Sequence, residues 1–190
     1  MVKQKIVKKI IWIGISCFFI MGCSSEQKEE NTGISTTVTP IETIENSNLE
    51  QKIQNGYSFL YNEIEFVVDM PAKEVLEQLG EYKNYFEAPS CAIESMIRTY
   101  SYGSFEIDTY ELDGTEYIAS IFFKDDTITT KEGAFLFMSE KQLFELYGTD
   151  YIKEAGVLVY SKDNMKLKFV VSEGEVSSIQ YTSLVTEVKQ

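Results

Sequence analysis

Histidine is absent from the chain. That removes the Ser-His-Asp and Cys-His nucleophile pairs, the two-histidine zinc helix, and any imidazole titrating near neutrality. An enzyme built from this sequence would have to rely on carboxylates, lysines or tyrosines. The only tryptophan, Trp12, lies in a segment expected to be removed, so no indole remains for sugar stacking, although tyrosine can substitute. Cysteine is scarce as well. Cys17 sits in an apolar run, Cys23 has a separate role, and Cys91 is left without a partner, which reads as a small buried hydrophobe because Ala88-Pro-Ser-Cys-Ala-Ile93 carries no neighbouring base. Basic charge is the last shortage: 17 basic residues face 30 acidic ones, a net charge of -13. Without Lys3, Lys5, Lys8 and Lys9 the balance becomes 13 against 30, or -17. Nucleic acid is therefore not expected as a partner, since it requires a positive surface.

What is present begins with an export signal. Residues 1–9 hold four lysines and no acid, Ile10–Met21 is almost wholly apolar, and Gly22-Cys23-Ser24-Ser25 follows. A basic start, a short apolar run and a small residue before the cut describe a secretory signal over residues 1–22. The apolar run is shorter than the ~20 residues a membrane-spanning helix needs. From Cys23 to Gly56 the sequence is rich in Ser, Thr, Glu, Asn and Gln and has no aromatic residue, which reads as a flexible tether. Ser25-Glu-Gln-Lys28 matches a Ser-x-x-Lys spacing, but in such a tether it stands without companion motifs.

The folded part is expected over residues 57–190 and is written twice. Met70-Pro-Ala-Lys-Glu-Val-Leu-Glu-Gln-Leu-Gly80 is answered by Met138-Ser-Glu-Lys-Gln-Leu-Phe-Glu-Leu-Tyr-Gly148. Val75, Leu76 and Leu79 match Leu143, Phe144 and Tyr147, a spacing that marks one face of a short helix, and each copy stops on glycine. Pro71 suits the first helical turn, and Ser139 with Gln142 forms a capping box. The interval from Gly80 to Tyr100 is 20 residues against 12 from Gly148 to Tyr160, an insertion that includes Pro89 and Cys91. Beyond it, Gly103-Ser104 and Asp113-Gly114 read as turns in the first copy, Asp163-Asn164 and Glu173-Gly174 in the second. The expectation is an α+β fold of two tandem units, residues 57–124 and 125–190. Each unit is a short helix packed on a three- to four-stranded antiparallel meander.

Period-two alternation assigns Phe105, Ile107, Ile121 and Phe123, then Met165, Leu167, Phe169, Ile179 and Tyr181, to the helix-facing sides. The opposite face then holds Glu106, Asp108, Tyr110, Ile118 and Phe122, with Lys166, Lys168, Val170, Val176 and Gln180. Aromatics among polar groups are typical of interface anchors, so Glu106, Asp108, Tyr110, Ile118 and Phe122 are the candidate binding residues. Lys124-Asp-Asp126 and Glu132 lack the alternating oxygen ligands of a calcium loop, and neither metal nor cofactor is expected. Glu106 and Asp108 also form a carboxylate pair on one strand face, the pattern a glycan hydrolase would use.

Two resemblances bear on these features. Ile20-Met21-Gly22-Cys23 resembles the lipobox of bacterial lipoproteins, which implies cleavage after Gly22, acylation of the Cys23 sulfur and attachment to the extracytoplasmic face of the cell membrane. Residues 57–186 resemble the beta-lactamase-inhibitor-protein-like fold, and each half resembles the SmpA/OmlA-type envelope lipoproteins. Leu79-Gly80, Ser90-Cys91 and Tyr102-Gly-Ser104 look like elements of lipoproteins of low-GC Gram-positive bacteria. The resemblance implies a surface-anchored, non-catalytic binding module for a protein or envelope component. An inhibitor or assembly factor, or a carboxylate-based hydrolase of glycans, are the alternatives.

Overall fold

The computed structural model describes residues 49–91 and 93–187, all within one compact unit. The expected signal segment 1–22, the expected acylation site Cys23 and the expected tether as far as residue 48 lie outside the described residues. Residues 49–55, at the end of the stretch assigned to the tether, are helical (α1).

A hairpin of β1 (Phe59–Tyr61) and β2 (Ile64–Phe66) comes first, followed by α2 (Ala72–Leu79). The hairpin closes through Asn62 and Glu63, both at positive φ, the backbone of the tight turn whose twist suits paired strands. Pro71 stands at the N-cap of α2 rather than inside its first turn, and its side chain makes no capping bond. At the far end, Gly80 takes φ 76° and ψ −148°, a region essentially restricted to glycine. Strands β3 (Asn84–Pro89), β4 (Met96–Ser101), β5 (Phe105–Leu112) and β6 (Thr115–Phe123) follow. Then come α3 (Glu140–Tyr147), β7 (Ile152–Glu154), β8 (Val157–Lys162), β9 (Met165–Ser172) and β10 (Glu175–Ser183). The Ser139–Gln142 capping box forms at α3, whose glycine stop, Gly148, has φ 73° and ψ −164°.

The expected pair of helix-on-meander units is overturned. Strands β3 to β10 make one continuous eight-stranded antiparallel sheet in the order β3-β4-β5-β6-β10-β9-β8-β7, with β1-β2 as a separate two-stranded sheet and only three short helices in the described chain. The physical reason is the β6–β10 seam. Gln180 pairs with Phe122, Tyr181 with Ile121 and Thr182 with Ser120, so two strands that would each have ended a sheet hydrogen-bond to one another instead. An exposed edge is costly to leave unpaired, and this pairing removes two of them. What recurs is local and lies inside the single sheet: Ile118 exchanges backbone bonds with Asp69 and Met70, as Val176 does with Phe137 and Met138.

One face of the sheet is covered by α2, α3 and the β1-β2 hairpin. Phe59 is the hub of that layer, within 5.2–6.1 Å, centroid to centroid, of Phe66, Phe105, Phe123 and Tyr181. All nine residues assigned to the helix-facing side are buried. Parity fails at two places. The register shifts between Asp108 and Thr109 opposite β6, and again between Val176 and Ser178. Each bulge inserts one residue, which turns the side chains beyond it to the other face. Ile118 and Val176, expected on the open face, are therefore fully buried in the core.

Candidate functional site

The uncovered face carries Glu106, Asp108 and Phe122 half-buried, as neighbours in register: Glu106 opposite Phe122, and Asp108 opposite Ser120. Their chemistry is already engaged. Asp108 accepts from Thr99 Oγ1 at 2.7 Å and from Ser120 Oγ at 2.8 Å. Glu106 pairs with Lys124 Nζ at 3.1 Å, and the same ammonium lies 5.9 Å from the Phe122 ring centre. Farther along, Lys166 and Lys168 hold Glu187 at 2.8 and 2.5 Å. Burial pushes the Glu187 carboxyl up, but the two lysines outweigh it and hold the group below its ordinary value. Carboxylates committed to hydroxyls and ammonium groups in this way are not poised for acid-base chemistry.

Two of the five predicted binding residues do not reach solvent on this surface. Ile118 faces the core for the reason given above. Tyr110 is only 4% exposed: its ring stacks on Tyr117 at 5.7 Å and its hydroxyl donates to Asp69 Oδ1 at 3.0 Å. Asn164 Nδ2 donates to the other Asp69 oxygen at 3.4 Å, and Lys52 Nζ donates to the Asp69 backbone carbonyl at 2.8 Å. Together with Val67, Met165 and Val185 these residues line a cleft of 290 Å³. Burial pushes the Tyr110 phenol far above its usual range, with Asp69 adding to the shift.

A cluster of aromatics does reach solvent at the β3 edge, where no candidate residue was expected, while Phe137, 60% exposed, stands alone before α3. Tyr82, Tyr85 and Phe86 are 48%, 44% and 65% exposed. Tyr82, Tyr85 and Tyr100 form a triangle of rings 5.3–5.8 Å apart. Carboxylates rim it: Tyr85 donates to Glu87 at 2.6 Å and Tyr100 to Glu116 at 3.0 Å. Arg98 reaches Glu111 at 3.0 Å and Glu87 at 3.8 Å. Burial, then the bond to Glu116, pushes the Tyr100 phenol far up; at Tyr85 the Glu87 bond is the main cause of a smaller rise. The signal available in sequence was three aromatics within five residues, Tyr82 to Phe86, inside what reads as an insertion. That insertion is the extension of the β3-β4 hairpin, and its loop carries Cys91. Cys91 is exposed, not buried as expected, because no described residue of the β3-β4 hairpin joins the core.

Among the described residues no group of three His, Cys, Asp or Glu side chains is placed to hold a metal ion, and no helix is long and apolar enough to cross a membrane. No protein-family model, no curated protein and no solved structure matches the chain.

Proposed function

We propose that this chain is a surface lipoprotein, anchored through acylated Cys23 on the extracytoplasmic face of the membrane, whose folded part is a non-catalytic binding module for a protein or envelope component. The observation that carries the reading is the aromatic edge: Tyr82 and Tyr85 on one face and Phe86 on the other stand exposed along one margin of a sheet whose other large apolar side chains are mostly in the core. Exposed aromatics rimmed by polar groups are costly to keep in water and are typical of interface anchors. The hydrolase alternative loses support, because Glu106 is tied to Lys124 and Asp108 to two hydroxyls. The supporting experiment has two arms. Palmitate labelling of the full chain in cells should be lost in Cys23→Ser. Retention of the purified full-length protein on isolated cell envelopes should fall by about tenfold in Tyr82→Ser/Phe86→Ser, the loss of one or two interface anchors. Unchanged labelling would remove the anchor, and unchanged retention would remove the aromatic edge as the contact surface.

A further inference from the structure

The two margins of the large sheet are not alike. At one, β7 is three residues long and has Lys153 at its centre, the usual means of blunting an edge. At the other, β3 is six residues long, has no lysine, and among the described residues has no protection except Pro89 at its end. The phase of its ladder follows from one bond. Ser90 N–H donates to Ser95 O at 2.9 Å, and these two residues continue the register of Pro89 with Met96. Antiparallel pairs alternate between bonded and unbonded, so Ala88 and Phe86 turn their backbone toward β4, whereas Tyr85 and Glu87 turn N–H and C=O outward. Two donors and two acceptors, spaced as an added strand requires, are thus presented at the free margin.

Side-chain alternation then sets what such a strand would carry. Residues placed opposite Tyr85 and Glu87 project over the tyrosine face, and the residue between them lies beside Phe86 on the other face. The tyrosine face is acidic: Glu87, Glu111 and Glu116 outnumber Arg98, the one cation among them. A cation opposite Glu87 gains a cross-strand ion pair, and one opposite Tyr85 gains the ring face. A second copy of this chain would instead bring acidic faces together. We propose that β3 accepts, as a ninth strand, an extended polypeptide segment with Lys or Arg at two positions separated by one apolar residue. This inference rests on the binding-module reading and names its partner's chemistry.

The test uses the full-length chain in detergent micelles and three synthetic peptides: Thr-Lys-Val-Lys-Thr, the same peptide with Glu for Lys, and one with the two lysines adjacent. Binding is read by fluorescence anisotropy, and hydrogen exchange is followed at the Tyr85 and Glu87 amides. The alternating lysine peptide should bind, slow both amides and weaken with added salt, while the glutamate peptide binds at least about tenfold more weakly. Glu87→Gln should reduce affinity by about two- to fivefold, the worth of one cross-strand charge pair. Glu87→Pro removes the outward N–H without touching the β4 ladder, so it should cost at least about tenfold. Equal binding of all three peptides, or equal effects of the Gln and Pro variants in a protein that melts normally, would overturn the proposal. So would slowed exchange that rises with protein concentration in the absence of peptide, which would assign the edge to a second copy. If no peptide binds while Tyr82→Ser/Phe86→Ser still abolishes envelope retention, the binding module stands and this partner class fails; if retention is also unaffected, both fail.

Discussion

Tyr110 donates its hydroxyl proton to Asp69 Oδ1 across 41 residues of sequence, tying the segment before α2 to the middle of the sheet. Asp69 is a buried carboxylate at positive φ, held in that backbone by its N–H bond to Ile118 O. Removing the phenol hydroxyl leaves one carboxylate oxygen without its donor in a site water does not freely reach. Tyr110→Phe should therefore destabilise the protein by about 1–3 kcal/mol, the cost of stranding a buried polar group. Asn164→Ala, which removes the longer bond on the other oxygen, should cost less. Urea unfolding of the two variants gives the comparison, and a larger loss for Asn164→Ala would refute this ranking.

Alkaline pH should unfold the protein through its tyrosines. Burial raises the phenols of Tyr57 and Tyr102, lifts Tyr160 to about 12, and drives Tyr110, Tyr147 and Tyr181 higher still. In the unfolded chain each would ionise near pH 10. A group whose folded value is raised contributes stability that is complete below its unfolded value and is lost as pH rises toward the folded one. Stability should thus be flat with respect to these groups below about pH 9 and fall steeply above pH 10. In an absorbance titration at pH 9–13, most phenolate should appear together with loss of near-ultraviolet dichroism rather than before it. Gradual ionisation with the fold intact would contradict the burial.

The same residues mark how far sequence could be read. Phe105, Ile107, Ile121, Phe123, Met165, Leu167, Phe169, Ile179 and Tyr181 are legible because each lies on a period-two run that no bulge interrupts. Ile118 and Val176 were misplaced because a bulge adds one residue without any compositional mark, and every side chain past it changes face. The β6–β10 seam was illegible for another reason. It joins residues about 60 apart in sequence, and nothing in either strand says which edge it will meet. Tyr82, Tyr85 and Phe86 escaped notice because alternation identifies residues that a core needs, and an edge strand exposed on both sides has no such pattern.

Phe59 illustrates what a short element can contribute. It sits in a three-residue strand, yet it touches rings from β2, β5, β6 and β10 and is completely buried. Truncation removes the ring and leaves a cavity that four other rings cannot collapse into. Phe59→Ala should cost about 3–5 kcal/mol, and Phe59→Leu less, since most of the volume remains. Tyr61, half-buried and stacked on the same cluster, should lose less on the same truncation. Equal losses at Phe59 and Tyr61 would show that the hairpin stabilises the sheet through its backbone rather than through this ring.

The two glycine stops separate backbone strain from crowding. A Cβ built at Gly80 or Gly148 meets nothing within 4 Å, so space is not what excludes a side chain there. The backbone is: φ 76° with ψ −148°, and φ 73° with ψ −164°, are conformations a residue with a Cβ adopts only at a cost. Gly80→Ala and Gly148→Ala should each destabilise by about 1–3 kcal/mol, and Asn, which tolerates positive φ only near the left-handed helical region, should not rescue either. Because the two sites lie at the ends of different helices and share no contact, the double variant should lose the sum of the single losses to within about 0.5 kcal/mol. A much larger loss in the double variant, measured by denaturant unfolding, would mean that α2 and α3 stabilise one another through the sheet they both cover.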